Sequence, residues 1–154
     1  METYGPQDGS DKVELGHTSE PVSFLGCEIR PGSIRPGRKS WTRLVNSIEK
    51  ELGESKRLMN DPEMLVARHM TLIETLNRCG NIVKGWGSQY KFCNDDVLMG
   101  QIDEKIDALI RSYIGFYTDK RDLMVKKDKR NNRRLLGVPL IVDCKSDPII
   151  PSNE

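Results

Sequence analysis

The sequence predicts a mainly α fold in which an N-terminal β-hairpin is followed by a small helical bundle. Residues 22–36 contain two short extended runs separated by the turn residues Pro31 and Gly32. Apolar residues then recur at helical spacing in several segments between residues 41 and 117. At 154 residues the chain is about as long as one domain, so we expect a modest buried core.

Charge is unevenly distributed along the chain, although the formal net charge is only +1. Residues 1–20 are rich in Asp, Glu, Gly and Ser and show no apolar period, which predicts a flexible acidic head. The hairpin is predicted over residues 21–37 and the helical domain over residues 38–142, with a tail at residues 143–154. The basic residues concentrate in the hairpin and near the end of the helical domain.

Several classes of protein are disfavoured by the composition. The four cysteines stand far apart without a Cys-x-x-Cys pair, so we expect reduced thiols and neither a zinc knuckle nor a disulfide framework. No signal-peptide pattern opens the chain, and no apolar run approaches the roughly 20 residues that span a bilayer. We therefore expect a cytoplasmic protein with no membrane partner. The chain also lacks a P-loop, a dinucleotide-binding glycine motif and a Ser-His-Asp set.

Capping residues predict where the helices begin and end. Ser40 is expected to cap the first helix and Gly53 to end it. Asp61 followed by Pro62 predicts the start of the next helix, whose apolar set extends to Leu76. Each of these boundaries rests on local backbone chemistry alone.

The segment 81–90 continues the helical period although it contains Gly85 and Gly87. Each glycine costs about 1 kcal/mol against alanine in a helix interior, so we expect a close backbone approach or a bend beside Trp86. Trp86 is then either a core residue or a platform on which a base stacks. Asn94–Asp95 is expected to cap the next helix, and for the pair Asp95–Asp96 we expect helix capping, not metal binding.

Two basic segments are candidates for binding a polyanion. Residues 30–43 contain no acidic residue, and residues 126–134 are the most densely charged part of the chain. Arginine and lysine neutralise phosphates without reading sequence. The alternative for each segment is a solvated surface without a ligand. The candidate residues are Arg30, Arg35, Arg38, Lys39 and Arg43 in the first segment and Lys126, Lys127, Lys129, Arg130, Arg133 and Arg134 in the second.

Three patterns along the chain resemble the C-terminal part of bacterial and group II intron reverse transcriptases. Residues 24–29, Phe-Leu-Gly-Cys-Glu-Ile, are similar to a strand of the primer-grip hairpin of that family. Residues 81–93, which contain Gly-Trp, resemble a helix of the maturase-specific domain. Residues 102–113 and 135–139 are similar to the following helix and to its usual ending. The primer-grip-like residues are Phe24, Leu25, Gly26 and Glu28.

The resemblance implies a thumb-like and maturase-like domain that binds RNA or an RNA/DNA hybrid. The polymerisation carried out by this family needs a palm whose paired aspartates hold two metal ions, and no aromatic-x-Asp-Asp sequence precedes the hairpin here. We therefore expect the nucleic-acid-binding part of an RNA-directed DNA polymerase, with no catalytic residue, metal ligand or cofactor of its own, because Mg²⁺ would belong to the absent palm. Two alternatives stay open. One is a module that docks on a separate palm-bearing polymerase subunit or forms a homo-oligomer, and the other is an active enzyme.

Overall fold

The computed structural model describes residues 22–145. Within this range the fold is mainly helical with an antiparallel hairpin at its N-terminal end, as the sequence predicts. The predicted head at residues 1–20 and most of the predicted tail lie outside the described residues.

Three short antiparallel strands form the N-terminal sheet, in the order of the chain. Two-residue turns join β1 to β2 at Leu25–Gly26 and β2 to β3 at Pro31–Gly32. The second turn is the predicted one, and it pairs Arg30 with Ser33 in the ladder. The strands are β1 (Val22–Phe24), β2 (Cys27–Arg30) and β3 (Ser33–Pro36).

The first turn corrects the reading of residues 24–29 as a single strand. Leu25 has φ +50° and Gly26 has φ +79°, so both lie in the left-handed region that a tight hairpin turn of the primed type requires. Phe24 and Cys27 consequently face each other as ladder partners across the turn. The prediction of one continuous strand over residues 24–29 is therefore wrong, because glycine at position 26 permits a reversal there.

Six helices follow the sheet in the described part of the chain. The three long ones carry most of the residues, and the three short ones connect or follow them. Their bounds are α1 (Arg38–Leu58), α2 (Pro62–Ala67), α3 (Leu72–Gln89), α4 (Asp96–Val125), α5 (Arg130–Leu136) and α6 (Ile141–Cys144).

Two predicted helix starts are confirmed. The Asp61 carboxylate accepts a hydrogen bond from the Met64 backbone N–H at 3.2 Å, and Pro62 occupies the first position of α2. The Asp95 carboxylate accepts the Leu98 backbone N–H at 3.0 Å at the start of α4. In both places an acid satisfies one of the N–H groups that a helix start leaves without a backbone partner.

Three other predicted boundaries are wrong. Helix α1 begins at Arg38, so Ser40 lies inside its first turn, where its backbone N–H donates to the Gly37 carbonyl at 3.0 Å. The helix also continues through Gly53, since the burial of Leu52 and Leu58 outweighs the modest cost of one glycine. The helix predicted from Pro62 to Leu76 is two helices, α2 and α3, because the intervening His69 has φ +55°.

Contacts divide the chain into two compact units, which we call unit 1 and unit 2. The described residues of unit 1 are 22–47 and 82–107, and those of unit 2 are 48–81 and 108–145. Helices α1, α3 and α4 each contribute residues to both units. No helix among the described residues is long and apolar enough to cross a membrane.

In unit 1 the sheet is attached to the ends of two helices by backbone hydrogen bonds. The Gly37 N–H, just before α1, donates to the Gly26 carbonyl at 2.8 Å. Asn94, just before α4, donates its backbone N–H to the Ile34 carbonyl at 2.9 Å and accepts the Ile34 N–H on its side chain at 2.7 Å. The buried side chains of unit 1 include Cys27, Pro36, Leu44, Tyr90, Ile102 and Ile106.

Close packing leaves no space for a side chain at two glycines of unit 1. A Cβ at Gly26 would lie 2.9 Å from the Tyr90 hydroxyl oxygen, and a Cβ at Gly37 would lie 2.8 Å from the Gly26 carbonyl oxygen. Gly85 and Gly87, by contrast, are exposed and have open space where a side chain would go. The expected close approach at those two positions is wrong, and α3 continues through both of them.

Unit 2 is centred on a buried polar cluster. Ser55 and Thr75, both fully buried, donate their hydroxyls to the Met70 carbonyl at 2.7 and 3.0 Å. The buried Tyr113 hydroxyl lies 2.8 Å from the Ser55 hydroxyl and supplies its other hydrogen bond. Each buried hydroxyl thus has a partner, which removes the free-energy cost of leaving it unsatisfied. Leu135 of α5 is also fully buried, and α5 packs on α2.

We predict that Gly26→Ala lowers the free energy of unfolding more than Gly32→Ala does. Both glycines have positive φ, at +79° and +74°, which costs an L-residue about 1–2 kcal/mol. Only alanine at position 26 also meets Tyr90, because the space at Gly32 is open. Urea denaturation of the two variants measures the difference. Equal losses would mean that Tyr90 moves aside at no cost.

Candidate nucleic-acid interface

Arg35 of the first basic segment is engaged within the fold. It is the ladder partner of Glu28, and its Nε donates to the Glu28 carboxylate at 3.1 Å. Its Nη1 also lies 3.5 Å from the Asp95 carboxylate that caps α4. Because two half-buried carboxylates face this guanidinium, Arg35 joins the sheet to α4 and has little charge to offer a ligand. Arg30 is half-exposed and lies 3.6 Å from the same Glu28 carboxylate.

Arg38, Lys39 and Arg43 form a second group, which we call the α1 cluster. All three are exposed, and none makes an ion pair with any residue in the range 22–145. The first turn of α1 contains no acid. The positive end of the helix dipole therefore adds to three cations whose charge is not neutralised nearby.

The α1 cluster lines a cavity of about 720 Å³ in unit 1, which we call the unit 1 cavity. Two aromatic residues from the end of α3, Trp86 and Tyr90, form part of its wall. Their ring centroids are 4.6 Å apart, and the ring planes are tilted by 33°. The cavity thus combines cations with aromatic surface.

Trp86 is held in place by a hydrogen bond from its indole N–H to the Ser40 hydroxyl at 2.9 Å. This contact joins the end of α3 to the first turn of α1. It gives Ser40 a role other than the predicted helix cap. Trp86 is half-buried and lines the cavity, so it belongs both to the packing of unit 1 and to its surface.

Arg38 and Arg30 also line a second cavity of unit 1, about 480 Å³ in volume, together with Trp41 and Leu98. Arg38 is thus common to both cavities and is the most central cation of this surface. Trp41, like Trp86, is half-buried and not fully enclosed in the core.

The primer-grip-like residues are divided between surface and interior. Leu25 at the tip of the first turn is 81% exposed, and Phe24 beside it is 45% exposed. Gly26 makes room for Tyr90, and Glu28 is paired with Arg35. The hairpin therefore presents apolar surface at its first turn and ionic contacts along β2 and β3.

The second basic segment, in unit 2, also contains two kinds of residue, namely arginines engaged within the fold and exposed lysines. Arg134 is largely buried and donates to Asp143 at 2.7 Å, and this ion pair lowers the pKa of the Asp143 carboxyl. Arg133 donates to the Pro139 carbonyl at 2.8 Å, and Arg130 pairs with Asp128 at 3.3 Å. These three arginines hold the turns before and after α5.

Lys126, Lys127 and Lys129 remain as exposed cations, and we call them the lysine cluster. None of them has an ion-pair partner in the part of the chain that the structure describes. They lie in the turn between α4 and α5, where the chain leaves the last turn of a long helix. Negative charge is favourable near a helix N-terminus and positive charge near a C-terminus, so the lysines also suit the end of α4.

Tyr90, Gln89 and Ser40 were not among the residues predicted for the site, although they line the unit 1 cavity. The i, i+4 spacing of Trp86 and Tyr90 was the available signal, because it places two aromatic side chains on one face of a helix. The pairing of α1 with the end of α3 depends on long-range packing, and spacing along the chain does not encode it.

Cysteine and acidic side chains make no metal site in the described residues. No group of three or more His, Cys, Asp or Glu side chains there is placed to hold an ion. All four cysteines are free thiols, with Cys27 and Cys79 buried and Cys144 exposed. Burial and the neighbouring Cys27 thiol raise the pKa of Cys93 to about 11, so this thiol stays protonated at neutral pH.

Comparisons of the chain with protein-family models, with curated proteins and with solved structures gave no match. The resemblance to reverse transcriptases therefore stays a prediction that rests on the sequence patterns of residues 24–29, 81–93, 102–113 and 135–139.

We predict that Asp143→Asn makes the stability of the protein less dependent on pH in the acidic range. Arg134 lowers the folded-state pKa of this carboxyl below its ordinary value of 3.8. The stabilisation is therefore fully present above pH 3.8 and is lost as the pH falls below it. Thermal melts over an acidic pH series measure this effect. Asp103→Asn is the control, since Asp103 is exposed and has no ion pair among residues 22–145. A parallel profile for both variants would contradict the prediction.

Proposed function

We propose that this protein binds RNA or an RNA/DNA hybrid through the sugar-phosphate backbone. The observation that carries the proposal is the α1 cluster, three exposed cations in the first two turns of α1 that have no acidic partner in the described chain and line a cavity. Cations and helix N-termini are the groups that hold phosphate oxygens in protein complexes with nucleic acids.

Ion pairing distinguishes the basic residues that can contact phosphate from those that stabilise the fold. Arg35 and Arg134 have carboxylate partners at 3.1 and 2.7 Å, so a phosphate would have to displace an existing ion pair. The members of the α1 cluster and the lysine cluster carry no such partner in the described chain. We therefore assign the phosphate contacts to these two clusters, and we assign Arg35 and Arg134 to the fold.

The binding is expected to be local and strongly dependent on salt. A formal net charge of +1 gives the whole chain little long-range attraction for a polyanion. Each lysine or arginine that neutralises a phosphate releases counterions, and the observed affinity falls as the salt concentration rises. None of the assigned residues reads base edges, so we expect recognition by charge and shape.

The resemblance to reverse transcriptases supports a role for this binding in a larger reaction. We propose that the chain acts as the thumb-like and maturase-like region of an RNA-directed DNA polymerase, in the cytoplasm, and positions the template and primer. The paired aspartates and the Mg²⁺ needed for nucleotide transfer would come from a palm outside the described residues. Nucleotide incorporation by the purified chain would overturn this assignment.

A second candidate function is docking on a palm-bearing polymerase subunit or on a second copy of this chain. The exposed Phe24 and Leu25 at the first turn favour it, because apolar side chains at the tip of a hairpin suit a protein contact. This function predicts a stable complex and little affinity for RNA. Wild-type protein that fails to bind RNA at low salt would favour docking over nucleic-acid binding.

We predict that replacing the α1 cluster by alanine weakens RNA binding and reduces its salt dependence. A labelled hairpin RNA is titrated with Arg38→Ala/Lys39→Ala/Arg43→Ala protein at several salt concentrations. The slope of log affinity against log salt should fall by up to about one unit for each phosphate that the variant no longer neutralises. The matched control is Lys84→Ala/Lys91→Ala/Lys105→Ala, which removes the same charge from exposed positions of unit 1 that do not line the cavity. If both variants bind RNA equally well, the α1 cluster is not the interface.

We predict that Lys126→Ala/Lys127→Ala/Lys129→Ala weakens RNA binding less than the replacement of the α1 cluster does, and independently of it. This variant should lower RNA affinity at low salt and lower the melting temperature less than Arg134→Ala does, because the three lysines make no ion pair within residues 22–145 and their interaction with the helix dipole at the end of α4 is weak. Arg134→Ala is the contrasting variant and should lower the melting temperature, since it removes the partner of Asp143. RNA affinity that is unaffected by loss of the lysines would restrict the interface to unit 1.

A further inference from the structure

We propose that the unit 1 cavity takes one unpaired nucleotide of a single strand, with its phosphate against the α1 cluster and its base or sugar against Tyr90. The inference rests on the proposed nucleic-acid binding and specifies which part of the nucleic acid enters the protein. It makes the cavity a site for single-stranded ends or loops, while the backbone of a duplex contacts only the cations at its rim.

The Tyr90 hydroxyl is the first observation. Tyr90 is only 5% exposed and lines the cavity, yet its hydroxyl makes no hydrogen bond to any residue that the structure describes. Unlike the Tyr117 hydroxyl, the Tyr90 hydroxyl is not enclosed by protein, so it can form a hydrogen bond with a group that enters the cavity. A group on a bound ligand is a partner that the fold itself does not supply.

The packing around this hydroxyl is the second observation. The Tyr90 oxygen lies where a side chain at position 26 would stand, 2.9 Å from the Cβ that an alanine would add. Gly26 and Gly37 both line the cavity, and the Gly37 N–H is hydrogen-bonded to the Gly26 carbonyl. The backbone at this wall is thus held close to the tyrosine, and only glycine leaves the space that the hydroxyl occupies.

The composition of the cavity wall identifies the class of ligand. The α1 cluster supplies positive charge, Gln89 supplies an amide, and the Trp86–Tyr90 pair supplies aromatic surface. Glu28 also lines the cavity, but its charge is held by Arg35 at 3.1 Å. Cations that hold the backbone beside aromatic rings that contact bases are the recurring arrangement of proteins that bind single strands.

The size of the cavity agrees with one nucleotide. Its volume of about 720 Å³ lies within the range of small-ligand sites, about 300–1,000 Å³. Bases in a duplex are stacked and paired between two backbones, so they cannot enter such a cavity without leaving the helix. An unpaired nucleotide enters without that cost.

Tyr90→Phe tests the inference, because it keeps the ring and removes only the hydroxyl. Affinity is measured for a labelled single-stranded oligouridylate and for a blunt-ended RNA duplex of two strands, which has no loop and no overhang. We expect the variant to bind the oligouridylate about fivefold more weakly, as for the loss of one hydrogen bond. Binding of the blunt duplex and the melting temperature should be unchanged, because the duplex has no unpaired nucleotide and the hydroxyl has no partner within the described protein.

Tyr117→Phe is the matched control. Tyr117 is also buried and its hydroxyl also lacks a hydrogen-bond partner in the described chain, but it lies in unit 2 and does not line the cavity. This variant should bind both RNAs as the wild type does. If Tyr90→Phe and Tyr117→Phe bind the oligouridylate equally well, the inference is overturned.

A second readout reports on the cavity directly. The chain contains two tryptophans, so in Trp41→Phe protein all tryptophan fluorescence comes from Trp86. Saturable quenching of this fluorescence by oligouridylate is expected, and its absence would overturn the inference. The proposed function fails by a different result, namely RNA binding that does not change when the α1 cluster is replaced by alanine. The two failures are therefore distinguishable.

Discussion

The contact between the first hairpin turn and Tyr90 is the constraint on which the rest of unit 1 depends. Gly26 brings its backbone against the tyrosine hydroxyl, and its carbonyl accepts the Gly37 N–H that directly precedes α1. The turn therefore sets where α1 begins and where the α1 cluster stands relative to the aromatic wall. A larger residue at position 26 would alter the backbone, the helix start and the cavity together.

Pairing with carboxylates decides which basic residues are available for binding. Both basic segments contain arginines that support the fold, such as Arg35 between Glu28 and Asp95 and Arg134 beside Asp143. The cations of the α1 cluster and the lysine cluster lie on exposed surface without such partners in the described chain. A dense basic run in a sequence thus contains both residues that stabilise the fold through ion pairs and residues whose charge is available to a ligand. Three-dimensional contacts are needed to distinguish the two.

The fold class and two helix starts follow from local chemistry, and for this reason the sequence predicts them correctly. Asp61–Pro62 and Asp95 act on backbone groups within three residues of themselves. Gly53 and Ser40 were misjudged because long-range packing decides their roles, through the buried stripe of α1 and through the indole of Trp86. The unit 1 cavity depends on the pairing of helices distant in the chain, so the sequence singled out its cations, Gly26, Glu28 and Trp86 but not the fact that they line one cavity.

The distribution of thiols has a practical consequence for labelling. Cys27 and Cys79 are buried, and Cys93 holds its proton at neutral pH because its pKa is raised to about 11. Cys144, at the end of α6, is the exposed thiol of the four. A maleimide dye should therefore attach selectively to the native protein at this position, without removal of any other cysteine. The wild-type chain thus already carries an attachment point for single-molecule fluorescence on unit 2.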